Sequence, residues 1–167
     1  MEQTDKKVLN KSILVLVAVI AVFVVILLVT TKKGTKIDGL ASTVTKQAIV
    51  NINGNHLVAS VADTPLERER GLSGQHVLND KSGMYFVFDE SDTHAFWMKG
   101  MNMPIDIIWL DELNKIVYIK ENVQPDSYPE VIKPDVPARF VLEVSAGYVE
   151  RNNVSVGDTI VVTDIQN

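Results

Sequence analysis

The hydrophobic pattern divides the chain into one long apolar run followed by many short apolar segments. The run, Ile13 to Thr30, reads "ILVLVAVIAVFVVILLVT" and contains no charged residue, proline or glycine. At helical rise a run of this length nearly crosses a hydrocarbon core of roughly 30 Å, and the residues beside it lengthen it. The pattern predicts a transmembrane helix over residues 12–31, a short basic cytoplasmic tail over 1–11 and a linker over 32–46.

Two other interpretations of the apolar run are open. A buried core helix needs neighbours that the rest of the chain does not supply. A cleaved signal peptide has a shorter apolar region and a small-residue cleavage site, whereas Thr31-Lys32-Lys33 follows here, which favours an uncleaved anchor. Three lysines lie on each side of the run, so the charges alone do not set the orientation. A short amino-terminal tail before a single first helix favours a carboxyl-terminal domain outside the cytoplasm. We expect a single-pass cell-membrane protein with its carboxyl-terminal domain outside the cytoplasm.

The remaining chain, residues 47–167, has the short alternating segments of an all-β domain. Asn53-Gly54 is a hairpin turn signal between the first two segments. Eight segments of this kind predict a barrel or a jelly-roll-like sandwich. The expected strands are Gln47–Ile52, Asn55–Ala62, Met84–Phe88, Ala95–Met98, Ile105–Leu110, Lys115–Lys120, Arg139–Val144 and Thr159–Thr163.

Two segments interrupt the β pattern as short helices. In "TPLERERG", Thr64 is the expected N-cap, Glu67 completes a capping box, and Pro65 to Arg70 form the helix. "SAGYVERNN", from Ser145, predicts one or two further turns that end near Asn152.

A proline-rich segment, Gln124 to Ala138, is the expected long loop. It holds four of the six prolines, which lack the N–H that a β-ladder needs. Loops of this length are often functional or mobile, and the alternative is a flap that covers the β domain.

The charge is distributed unevenly along the chain. Residues 1–36 carry six lysines against Glu2 and Asp5, or +4, so the total of -5 leaves -9 for residues 37–167. An acidic domain repels phosphate backbones, so we expect no nucleic-acid partner. The basic flanks of the apolar run suit lipid headgroups, and residues 12–31 make the lipid bilayer the first expected partner.

Several linked blocks of this sequence resemble one known family. They are "TPLERERGL", "GMYFVF", "FWMKGMNMPIDIIWLD", "ARFVLEVSAG" and "VGD". In this order and spacing they are similar to the domain of unknown function 192 family (DUF192, UPF0127), from about Ile49 to Val162. The resemblance implies a compact all-β domain, often exported or membrane-attached, and it implies no established activity.

The chain departs from the family pattern at two places. It has Ser73-Gly74 where the family usually has methionine and a basic residue, and Gly100-Met101 where the family usually has Asn-Thr. If the usual asparagine or methionine contacts a ligand in the family, that contact is absent or altered in this chain.

Two acidic residues lie in apolar segments that predict buried strands. Asp106 lies in "IDIIWL" and Glu143 in "RFVLEVS". A buried carboxylate needs a partner or a raised pKa. One interpretation is a structural ion-pair network, with Arg68 or Lys99 beside Asp106. The other is a carboxylate pair in a cleft beside aromatic residues, acting as general acid and base or holding the hydroxyls of a sugar-like ligand. The candidate catalytic residues are Asp106 and Glu143, and the candidate ligand-binding residues are Arg68, Phe96, Trp97, Lys99, Asp106 and Glu143.

A soft metal site is a further hypothesis. One imidazole and three thioethers lie within ten residues and suit Cu(I), although methionines also commonly fill gaps in cores. The candidate ligands are His94, Met98, Met101 and Met103.

The sequence favours a binding module over an enzyme. It contains no cysteine, no glycine-rich phosphate loop, no G-x-S-x-G and no H-E-x-x-H, and we expect no cofactor. We expect a membrane-anchored, extracytoplasmic binding or accessory module for envelope components, whose ligand is a small molecule, a glycan or a protein. The alternatives are a hydrolase-like enzyme that uses Asp106 and Glu143, and a Cu(I)-handling protein.

Overall fold

The computed structural model describes residues 46–165, with the side chains of the last two left out. The expected tail, the membrane helix at 12–31 and nearly all of the linker lie outside the described residues. Within 46–165, no helix combines the length and the apolar character that crossing a membrane requires.

The described chain forms a seven-stranded sheet with two short helices. The strands are β1 (Gln47–Ile52), β2 (Asn55–Ala62), β3 (Ser82–Asp92), β4 (Ile105–Leu110), β5 (Ile116–Val123), β6 (Ala138–Ser145) and β7 (Val161–Ile165). The helices are α1 (Pro65–Arg70) and α2 (Tyr148–Arg151), and Pro125–Ser127 form a single 3₁₀ turn. The expected mostly-β domain with one or two short helices is therefore confirmed.

The strand order in the sheet is β5-β4-β6-β3-β2-β1-β7. Only β2 and β3 are parallel, and the crossover between them contains α1. Near the two sheet edges, Lys115 forms a bridge with Thr159, and the amide of Ile116 donates to the carbonyl of Asp158 at 2.8 Å.

Helix α1 forms where the capping box predicts it. The Thr64 hydroxyl accepts from the Glu67 amide, and the Glu67 carboxylate accepts from the Thr64 amide. Pro65 occupies the first turn, where its missing N–H costs nothing. A cap of this kind contributes about 1 kcal/mol, so the sequence locally specifies this helix.

The two faces of the sheet carry two separate apolar clusters, because alternate residues of a strand point to opposite faces. The first cluster includes Ile108 and Leu110 of β4 with Leu142 and Val144 of β6. The second cluster contains Ile105, Ile107, Trp109, Phe86, Met98, Met103, Ile132 and Val141. Every residue of β4 is buried, which confirms that this strand is covered on both sides.

One expected strand is wrong. Residues Ala95 to Met98 form no strand and make only the bridge between Phe96 and Ile132. Strand β4 pairs with β5 on one edge and with β6 on the other, so it offers no free edge to this segment. The segment lies instead over the second cluster, where Met98 is buried and Phe96 packs against it.

The proline-rich loop packs over the second cluster of the sheet. Ile132 exchanges two backbone hydrogen bonds with Phe96, each of 2.8 Å, and its side chain is buried in the second cluster. The last strand begins two residues later than expected, at Val161, because Thr159 makes the bridge to Lys115 instead.

Candidate functional site

The two candidate acids lie on opposite faces of the sheet. Strands β4 and β6 are antiparallel neighbours in which Ile107 is opposite Glu143 and Asp106 is opposite Val144. Directly opposed residues share a face, so Glu143 lies on the second-cluster side and Asp106 on the first-cluster side. The two carboxyl groups therefore do not share a cleft, and the expected acid–base pair is wrong.

Asp106 is fully buried and its partners are backbone amides. Its Oδ1 accepts from Asn122 at 2.8 Å and from Gly147 at 3.2 Å, and its Oδ2 accepts from Val149 at 3.0 Å. The bonds from Gly147 and Val149 attach the first turn of α2 to β4. Asp106 is therefore a structural residue that positions α2 and β5.

The prediction that Arg68 or Lys99 pairs with Asp106 is wrong. Arg68 instead donates from Nη1 to the backbone carbonyls of Asp63 and Val87, at 2.7 and 2.8 Å. Its guanidinium also lies 5.2 Å from the centre of the Phe88 ring. Arg68 thus attaches α1 to β3 through backbone carbonyls.

Glu143 is the unusual group of the site. It is 5% exposed, and its Oε2 has no hydrogen-bond partner among the described residues. Its two direct neighbours in the sheet are apolar, Ile107 on β4 and Met84 on β3. Burial raises the pKa of the Glu143 carboxyl to about 8, since no cation offsets the cost of desolvation. At neutral pH the group is mainly a protonated acid that can both donate and accept a hydrogen bond.

A pocket of about 180 Å³ lies above Glu143, and we name it the inner pocket. Phe86 and Phe96 meet edge to face with ring centres 5.0 Å apart, and the Trp97 side chain is 48% exposed. The inner pocket is lined by Arg68, Glu69, Arg70, Gly71, Leu72, Ser73, Phe86, Phe88, Ala95, Phe96, Trp97, Met101 and Glu143.

A wider groove of about 470 Å³ adjoins the inner pocket, and we name it the outer groove. Leu66, Lys99 and Gly100 line only the groove. The residues that line both are Glu69, Arg70, Ser73 and Trp97. The two compartments therefore adjoin each other and share a wall.

The site combines an apolar floor with a basic rim. The two compartments are lined by three cations, Arg68, Arg70 and Lys99, and by two acids, Glu69 at the rim and the buried Glu143. Neither Arg70 nor Lys99 forms an ion pair or side-chain hydrogen bond with any residue in 46–165. These two exposed cations are available to an anionic group on a ligand.

The structure brings together most of the expected ligand-binding residues. Arg68, Phe96, Trp97 and Glu143 line the inner pocket, Lys99 lines the outer groove, and Asp106 is remote on the other face. Sequence reasoning missed Arg70, Ser73, Phe86 and Phe88 as pocket residues. The signal for Phe86 and Phe88 was available, because they share the strand face of Met84, which is opposite Glu143.

The candidate copper ligands lie mainly in apolar packing. Met98 and Met103 are buried in the second cluster, and Met101 packs against it. His94 stacks on Phe88 with ring centres 3.5 Å apart. Among residues 46–165, no three histidine or carboxylate side chains group together as a metal site. The methionine positions are those of core fillers.

The two departures from the family pattern contact each other. The Gly74 amide donates to the Gly100 carbonyl at 2.9 Å, and the Ser73 hydroxyl donates to the Lys99 carbonyl at 2.9 Å. Gly100 has φ +72°, a conformation that favours glycine, and a Cβ there would lie 3.5 Å from the Ser73 Cβ. Ser73 and Gly100, one from each departure, therefore lie together at the outer groove.

Comparison with known proteins finds a relative among the UPF0127 proteins. A relative from Thermococcus gammatolerans, described as a UPF0127 protein, is 31% identical over 110 residues. That match covers 63% of this chain and 66% of the relative, just under two thirds of the relative's length.

Two crystal structures share the fold. One, from Sinorhizobium meliloti 1021 and named a "putative transcription regulator", is 30% identical with a TM-score of 0.65. The match covers 70% of this chain and 92% of the Sinorhizobium chain. The other, a protein of unknown function from Novosphingobium aromaticivorans DSM 12444, is 28% identical with a TM-score of 0.61, covering 69% and 83%. The model of the DUF192 family, described as "Uncharacterized ACR", matches residues 48–162. The chain therefore belongs to the DUF192 family.

Proposed function

We propose that this chain is a membrane-anchored binding module whose inner pocket holds a ring-sized group of an envelope component. The observation that carries the proposal is the unpartnered Oε2 of Glu143 at the floor of the pocket. A buried polar atom without a partner costs about 1–3 kcal/mol, and a bound ligand that supplies the partner recovers that cost. Structural acids, such as Asp106, are satisfied by the fold itself.

The walls of the inner pocket support binding of a ring. Phe88, Phe96 and Trp97 offer aromatic surface beside a small number of polar groups, the composition typical of small-molecule sites. A volume of about 180 Å³ is below the usual range for whole ligands, roughly 300–1,000 Å³, so the pocket accommodates one ring rather than a large molecule.

The proposed location rests on the sequence. The apolar run at 12–31 supplies the anchor, and the short tail before it favours export of the β domain. The description of the Sinorhizobium relative as a regulator of transcription does not transfer readily, because residues 37–167 have a formal charge of -9. We also propose that the sheet is a barrel rather than a sandwich, which the bridge between Lys115 and Thr159 supports.

The anchor is tested by cell fractionation. The full-length protein is expected to stay in the membrane fraction after a high-salt wash, and a tag after Asn167 is expected to be cut by protease added to intact spheroplasts. A soluble mature form that begins near Lys32 would identify the run as a cleaved signal. A tag cut only after lysis would reverse the orientation.

Binding at the inner pocket is tested with three small ring probes that differ in charge. Methyl glucoside, benzoate and benzylamine are titrated separately into the isotope-labelled fragment Val44–Asn167, a compact unit with its own core. At least one probe is expected to shift the NMR signals of Phe96, Trp97 and Met101. Glu143→Leu should weaken that binding, because it removes the polar group from the pocket, whereas Glu121→Leu, at an exposed strand position outside both compartments, should not. No shift at the pocket with any probe would refute the proposed function.

A further inference from the structure

The inner pocket and the outer groove together indicate the chemical class of the ligand. We propose that they bind an acidic saccharide, with a sugar ring above Glu143 in the inner pocket and a carboxylate beside Arg70 and Lys99 in the outer groove. This inference rests on the proposed function and specifies its ligand.

The inner compartment favours a hydroxyl-bearing ring. Oε2 of Glu143 needs a hydrogen-bond partner, which an unsubstituted aromatic or aliphatic ring cannot supply. A sugar hydroxyl can donate to a carboxylate or accept from a protonated acid, so it satisfies Glu143 in either state. The aromatic surface of Phe96 and the half-exposed Trp97 suits the apolar C–H face of a sugar ring.

The charges at the rim disfavour a cationic ligand such as an amine. An amine would satisfy Glu143 and hold it ionised, but it would have to pass and remain beside Arg68 and Arg70. Lys99 adds a third positive charge in the outer groove, and Glu69 is the single acid there. The rim therefore disfavours a cationic ligand and attracts an anionic one.

The geometry also requires an elongated ligand. The inner pocket accommodates one ring, and the groove of about 470 Å³ adjoins it along Arg70, Ser73 and Trp97. A ligand that uses both Glu143 and Lys99 therefore spans at least two linked units. An acidic disaccharide is the smallest member of this class.

The test uses three disaccharides that differ only in charge class. Digalacturonate, digalactose and digalactosamine, all with the same linkage, are titrated into the full chain in nanodiscs, with calorimetry as the readout. The acidic dimer is expected to bind at least tenfold more tightly than the neutral one, and the basic dimer is expected to bind most weakly. The advantage of the acidic dimer should shrink with added salt, because the cations are exposed.

Matched variants assign the two contacts. Arg70→Gln and Lys99→Gln should each weaken the acidic dimer about two- to fivefold, the range of an exposed ion pair, and leave the neutral dimer unchanged. Glu143→Leu, which removes the hydrogen-bonding group from the floor of the inner pocket, should weaken both dimers. Lys120→Gln, an exposed lysine outside both compartments, is the control and should change neither.

The outcomes separate this inference from the proposed function. Equal affinity for the acidic and neutral dimers, or preference for the basic dimer, overturns the acidic class. If none of the three dimers binds while a small ring probe shifts the pocket signals, the saccharide inference is wrong and the binding function stands. If neither dimers nor ring probes bind, both are wrong.

Discussion

Ile107 on β4 is directly opposite Glu143 on β6, and this pairing decides the roles of both buried acids. It places Glu143 on the face that carries the inner pocket, and it turns the neighbouring Asp106 to the other face. There Asp106 meets three backbone amides, whereas Oε2 of Glu143 meets none. One acid therefore stabilises the fold, and the other remains available to a ligand.

The first prediction concerns Asp106→Asn. An asparagine oxygen can replace only one of the two carboxylate oxygens, so its NH₂ group would face an amide donor, such as that of Val149. Leaving a buried donor unsatisfied, together with the lost charge-assisted bonds, should cost about 2–4 kcal/mol of unfolding free energy in urea titrations.

Asp111→Asn is the matched control for that substitution. Both amides that Asp111 receives, from Leu113 and Lys115, go to Oδ1, which asparagine retains. This control should lose less than about 1 kcal/mol of unfolding free energy. Equal losses for the two variants would contradict the structural role of Asp106.

The second prediction concerns the pH dependence of stability. The folded-state pKa of Glu143 is raised from 4.5 to about 8. The stability contributed by the protonated group is therefore fully present below about pH 4.5 and is lost as the pH rises through 8. The unfolding free energy of wild type should therefore fall over this range, by at most about 5 kcal/mol from this group.

Glu143→Gln removes that contribution because glutamine does not ionise. The variant should be more stable than wild type at pH 9, and the difference should diminish at pH 5. Glu121→Gln, which changes an exposed carboxyl, should follow the wild-type curve. Parallel curves for wild type and Glu143→Gln would contradict the burial of an unpaired acid.

The third prediction concerns Gly83, beside the site in β3. A Cβ at this position would lie 2.7 Å from the backbone carbonyl oxygen of Glu143, and backbone cannot move away as a flexible side chain can. Gly83→Ala should therefore separate β3 from β6 and cost about 1–3 kcal/mol. Lys81→Ala, at a nearby exposed position, should change stability by less than about 0.5 kcal/mol. A fully stable Gly83→Ala protein would show that the strands tolerate a wider spacing.

The fourth prediction concerns the methionines. As core fillers, Met98 and Met103 should each accept leucine for less than about 1.5 kcal/mol, whereas alanine should cost about 2–5 kcal/mol. Cu(I) titration of the same proteins provides the independent readout. Stoichiometric binding that either leucine substitution abolishes would restore the copper hypothesis.

The sequence predicted those parts of the fold that have local signals. The capping box around Thr64 and Glu67 specified α1, and the Asn53-Gly54 turn specified the first hairpin. The strand prediction for Ala95–Met98 was wrong because its apolar alternation is compatible both with a strand and with a segment that packs over the sheet. That distinction depends on whether a neighbouring strand has a free edge, which is a property of the whole sheet.

The candidate site was predicted in its residue types but not in its geometry. Burial of Asp106 and Glu143 followed from their apolar neighbours in sequence. Their separation onto two faces depends on the register between β4 and β6. A shift of one residue in that register would place both acids on the same face. The backbone partners of Asp106 could not be predicted either, because Gly147 and Val149 are distant in sequence and carry no side-chain signal.

The measurement that tests the account most directly is the pKa of the Glu143 side chain in the fragment Val44–Asn167. Its carboxyl carbon can be followed by ¹³C NMR as the pH is raised, with the signal assigned by its absence from Glu143→Gln. The account predicts a midpoint of about 8, because the carboxyl is buried beneath the inner pocket without a partner. A midpoint near 4.5, the ordinary value of a glutamate, would mean that Glu143 is solvated or paired and would contradict the account.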